Sequence, residues 1–77
     1  MQKVLVNCHM SQKDEIMHIM QTNNYHPIEF NHENKVMLVL ELYDYQISLL
    51  TKLMHDYTDN QDDEVSVYVC HKISFYG

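Results

Sequence analysis

The chain predicts an α+β fold, a single domain over residues 1–77 in the order βαββαβ, with a four-stranded antiparallel sheet carrying two helices on one face. Three observations predict it. Short runs rich in β-branched, aliphatic and aromatic residues occur four times, as strands require. Between the first two runs, and again between the last two, apolar residues recur every three or four positions, as on one side of a helix. The strand-helix-strand order is thereby repeated within 77 residues, the arrangement of two split βαβ units.

The elements follow in order. "KVLVNC" (3–8) is the first strand. "SQKDEIMHIMQTNN" (11–24) is the first helix, with Ser11 as cap, Asp14 three residues on, and Ile16, Ile19 and Met20 at helical spacing beside Met17. Asn23-Asn24 ends it, because asparagine tolerates the left-handed conformation. "YHPIEF" (25–30) is the second strand. Pro27 has no N–H to donate, so this strand belongs on an edge. "NHEN" (31–34) is a turn, which makes a hairpin with "KVMLVLEL" (35–42). That nearly continuous apolar run suits a central strand covered on both faces. "YDYQISLLTKLMHDYTDN" (43–60) is the second helix: Tyr43, Ile47, Leu50, Met54 and Tyr57 form one stripe, widened by Leu49 and Leu53. "DNQDDE" (59–64) is an acidic connector, and "VSVYVCHKISFYG" (65–77) alternates as a strand, with Val65, Val67, Val69, Ile73 and Phe75 on one face.

This succession is that of the ferredoxin-like fold, whose sheet runs in the order 4-1-3-2. Strand two then falls on an edge, in keeping with Pro27, and strand three in the centre, in keeping with its apolar run.

Charge and composition exclude several functions. Five lysines and no arginine face eleven acids, for a net charge of −6. Arginine is the usual bidentate reader of phosphate and guanine, so direct nucleic-acid binding is not expected. No run of 18 apolar residues spans a membrane, and "MQKVLVNCHM" is too short and polar for a secretory signal. Two cysteines are too few for a secreted disulfide framework. The expectation is a reduced, cytoplasmic protein. A single glycine, Gly77, rules out a glycine-rich phosphate cradle, and no HExxH, GxSxG or calcium-loop pattern occurs. No catalytic constellation is found, so the chain reads as a non-enzyme.

Both cysteines precede a histidine, Cys8-His9 and Cys70-His71. Consecutive strand residues point to opposite faces, so neither pair converges on one ion as a tetrahedral site demands. Cys8, with Val4 and Val6, takes the core face, and His71 shares the face of Val65, Val67 and Val69; His9 and Cys70 take the outer one. No metal and no cofactor is expected. His18 and His55 read as surface residues of the helices, and His26 and His32 flank the hairpin without a carboxylate pattern that matches a hydrolase. Cys8, His9 and Met10 are nonetheless copper-type ligands in the turn between strand one and helix one. In that position they resemble the metal loop of heavy-metal-associated domains, which implies soft-metal binding as an alternative. The family's loop has two cysteines, and Ser11 stands here in place of the second.

Two surfaces remain. The sheet face turned away from the helices is predicted to carry Leu5, Asn7, His9, Met37, Val39, Tyr68, Cys70 and Tyr76, apolar enough to meet a protein partner or a second copy. An acidic cluster, Asp56, Asp59, Asp62, Asp63 and Glu64, sits at the end of helix two, where the helix dipole disfavours negative charge. These acids suit a partner with a basic surface. In size and charge the chain resembles small acidic phage-encoded inhibitors of host nucleases, anti-CRISPR proteins among them. That resemblance implies a protein that occupies a nucleic-acid-binding surface of a nuclease. A homodimeric, ligand-binding regulatory module is the third expectation.

Overall fold

The computed structural model of the chain describes residues 1–59 and 65–70, with Cys70 described by its backbone alone. The predicted Ile73 and Phe75 of strand four, and His71, lie outside the described residues.

The strands are β1 (Gln2–His9), β2 (Ile28–His32), β3 (Lys35–Leu42) and β4 (Ser66–Cys70); the helices are α1 (Lys13–Thr22) and α2 (Asp44–Thr58). All pairings are antiparallel, in the order β2-β3-β1-β4. This is the predicted ferredoxin-like arrangement, with β2 on the edge and β3 inside. Among the described residues, no helix is long and apolar enough to cross a membrane.

Period-two burial places the core. Val4, Val6 and Cys8 of β1 and Val36, Leu38, Leu40 and Leu42 of β3 are buried on one face of the sheet. Against them pack Ile16 and Met20 of α1 and Leu50 and Met54 of α2, with Tyr25 from the following loop. Both helices therefore lie on this face. Met37 and Val39, on the other face of β3, are only half-buried. The central strand is not covered on both sides as its apolar run suggested.

Local geometry departs from the sequence reading in four places. Ser11 does not cap helix one. A single 3-10 turn (Met10–Gln12) precedes α1, whose own N-cap, Gln12, makes no side-chain cap bond. His9 caps the 3-10 turn: its Nδ1 accepts from the Ser11 N–H at 3.2 Å, while the Gln12 Oε1 accepts from the His9 N–H at 2.9 Å. The side-chain pairing of a capping box is thus present with imidazole and amide as partners. Asn24 ends α1 in the left-handed region (φ 64°), as read.

The second difference is β2, which starts three residues late. Pro27 disfavours helical geometry at His26 and precedes the strand. Tyr25 instead turns inward, and its hydroxyl donates to the Gln46 carbonyl at 3.3 Å. The strand gains Asn31 and His32, so the hairpin turn shrinks to Glu33-Asn34, with Glu33 left-handed at φ 55°. The third is Tyr43, which leaves the apolar stripe. It sits at the N-cap of α2, 52% exposed, and stacks on Tyr45 with ring centroids 6.1 Å apart. The fourth is Leu49, which lies 44% exposed instead of widening the stripe.

Candidate recognition surface on the outer sheet face

The pairing registers set the outer-face residues in rows across the strands. Cα partners point to the same side of the sheet, so each row can be followed from β2 to β4. One row is Ile28, Val39, Leu5 and Tyr68, apolar across all four strands. The next is Phe30, Met37, Asn7 and Ser66. Beyond it, at one end, stand His32, Lys35 and His9. At the other end Lys3 and Glu41 are register partners on the same face.

The helices leave this face uncovered. Ile28 is 63% exposed, Phe30 52% and Tyr68 53%, while Leu5, Met37 and Val39 are half-buried. The sequence located Leu5, Asn7, His9, Met37, Val39 and Tyr68 on this face, and the structure places all six there. It missed Ile28 and Phe30. The alternation of Ile28 and Phe30 with Glu29 and Asn31 was the available signal. Tyr76 lies outside the described residues, as does the Cys70 side chain.

Asn7 and Ser66 are short, and the taller side chains around them leave a groove of about 580 Å³. Phe30, Met37 and Tyr68 supply its apolar wall, and His9, His32 and Lys35 one end. His9 Nδ1 accepts from the Ser11 N–H and lies 2.9 Å from the Ser11 Oγ. In the neutral imidazole this leaves the proton on Nε2, the nitrogen without those contacts.

The acidic cluster is described only in part. Asp56 and Asp59 are exposed at the end of α2, and Asp59 stands 3.7 Å from His55 Nε2, one turn earlier. Asp62, Asp63 and Glu64 lie outside the described residues. The structure does not bring the acids and the outer face into one described site.

The Cys8 and His9 side chains diverge, as β geometry requires: Cys8 is buried in the core and His9 exposed on the outer face. Burial raises the Cys8 thiol above its ordinary pKa, and the Glu29 carboxylate adds to the rise. Among the described residues, no group of three or more histidine, cysteine or acidic side chains gathers as a metal site. On the helix side, Tyr57 is raised by burial and by its hydrogen bond to Glu15. Glu29 is lowered by hydrogen bonds from Asn31 and from Lys13, whose Nζ lies 3.1 Å from its Oε2.

A scan against protein-family models and a search of curated proteins both return no match for this chain.

Proposed function

We propose that the chain is a non-catalytic, cytoplasmic protein-binding module that recognises its partner through the outer sheet face. The observation that carries this reading is the row Ile28, Val39, Leu5 and Tyr68, apolar over four strands and left open by the helices. Large apolar patches on small domains mark interaction surfaces. Aromatic residues such as Phe30 and Tyr68 are the usual anchors of such contacts.

The finer form of the proposal is inhibition of a nuclease by occupying its basic, nucleic-acid-binding surface, as the resemblance in size and charge suggests. Asp56 and Asp59 support that form by standing exposed at one end of α2. The two forms separate in one experiment. Partner captured from host lysate is identified and its affinity measured for Leu5→Lys and for the pair Asp56→Asn with Asp59→Asn, each checked for fold by circular dichroism. Loss of at least tenfold in Leu5→Lys assigns recognition to the face. Loss in the acid pair, growing weaker as salt rises, assigns it to the acids. Wild-type affinity in both overturns the proposal.

A second reading, a ligand-binding regulatory module, is favoured by the groove and its basic end. Its volume lies within the usual small-molecule range of about 300–1,000 Å³. Titration with the aromatic sulfonate anilinonaphthalene sulfonate tests it. Binding weakened by Lys35→Gln supports the groove as the seat, and binding indifferent to Lys35 and Phe30 removes it.

A further inference from the structure

The sheet has two edges, and they are built differently. An unpaired strand edge offers its N–H and C=O groups to any other strand, and proteins block it with proline, charge or short length. The β2 edge is blocked: Pro27 precedes it, and Glu29 and His32 lie on it. β4 reads Ser66, Val67, Tyr68, Val69, Cys70, with no charge, proline or glycine. Among the described residues it pairs with β1 alone.

We infer that two copies of this chain join edge to edge through β4, antiparallel, about a two-fold axis at Tyr68. The central triplet Val67-Tyr68-Val69 reads the same in both directions. Antiparallel pairing about Tyr68 therefore sets Val67 opposite the second copy's Val69 and Tyr68 opposite its own equivalent. Such self-complementarity is what an isologous two-fold interface requires. Every pair in the triplet is β-branched on β-branched or aromatic on aromatic, the favourable kinds of cross-strand contact.

Burial points the same way. Val67 and Val69 face the helix side, since they pair with Val6 and Val4, yet both are only half-buried. A second β4 alongside would cover them. On the outer face the axis makes the apolar row continuous through both copies, from Ile28 to Tyr68 and back to Ile28. The pairing is argued independently of the proposed function; its consequence, a recognition face of double width, rests on that reading. The net charge of −6 per chain opposes association, so added salt strengthens the dimer, the reverse of its effect on capture through the acids.

The test is a disulfide across the axis. Directly opposed residues of an antiparallel pair lie about 4.5–5.5 Å apart at Cα, within the roughly 4.4–6.8 Å span of a disulfide. Tyr68→Cys is made in a Cys70→Ser background and oxidised with diamide. Ile28→Cys in the same background, on the blocked edge, is the control. We expect covalent dimer to form at least tenfold faster for Tyr68→Cys, and wild type to sediment as a dimer at tens of micromolar, on the order of weak-interface affinities. Equal rates for the two variants overturn edge pairing, even where sedimentation shows a dimer. A wild-type monomer at about 100 µM, well above that range, also overturns it, whether or not Tyr68→Cys folds. The effect of Leu5→Lys on partner capture is read separately, so failure here leaves the face reading standing and the reverse also holds.

Discussion

At the scale of single residues, Glu33 is the least comfortable position in the hairpin. A non-glycine residue in the left-handed region costs roughly 1–2 kcal/mol, and Glu33 sits there at φ 55°. Glycine relieves that cost while giving back some of it as unfolded-chain entropy. Glu33→Gly is expected to stabilise the fold by about 0.5–1 kcal/mol in urea unfolding; a loss of stability would mean that the glutamate side chain holds the turn. Glu29 makes stability depend on acid. Its folded pKa is lowered, first by the Asn31 hydrogen bond and then by Lys13, so its contribution is complete above the ordinary glutamate value of about 4.3. It is lost as pH falls through the lowered folded value. The stability difference between wild type and Glu29→Gln should shrink to nothing across that window. A difference that stays constant to the acid limb would assign the residue a packing role. Cys8 is the third case. Its buried thiol, raised in pKa, should react slowly with thiol reagents in Cys70→Ser protein until the domain unfolds. Neither zinc nor cuprous ion should survive dialysis against a mild chelator; stoichiometric metal that disappears in Cys8→Ser would restore the soft-metal reading.

At the scale of elements, α2 closes the core over the sheet. Leu50 and Met54 are buried against the sheet. Leu50→Ala should cost about 2–5 kcal/mol, a large share of the stability of so small a domain. Leu49, one residue away and 44% exposed, should cost under about 1 kcal/mol when cut to alanine. Equal losses in chemical denaturation would place the helix in another rotation. Two further ties hold the layers together. Gln2 Nε2 donates to Asp44 Oδ1 at 2.6 Å, joining the starts of β1 and α2. Lys13 joins the start of α1 to β2 through Glu29. Neither tie enters the outer face, so substitutions there test recognition without touching these contacts.

At the scale of the whole molecule, one side of the sheet is spent on the core and the other is left for encounter. The sequence by itself determined the number, order and kind of elements, because periods of 2 and 3.6 are written directly in the apolar spacing. It also determined the core face of β1, since Val4, Val6 and Cys8 alternate with Leu5, Asn7 and His9. Pro27 pointed to an edge strand, and β2 is one, but the strand begins at Ile28, so Pro27 limits where the strand starts and takes no place in its ladder. Tertiary structure alone decided the rest. Tyr43 has the spacing of a core residue, but the chain enters α2 there, and the N-cap position turns its ring to solvent beside Tyr45. Tyr25 has the propensity of a strand residue, but a site under α2 buries it and delays β2 to Ile28. The row of Ile28, Val39, Leu5 and Tyr68 joins residues as far apart as 5 and 68 in the chain. Period along a strand shows which face a residue takes, but only register between strands shows which residues stand side by side, and register is set by the turns and the packed core.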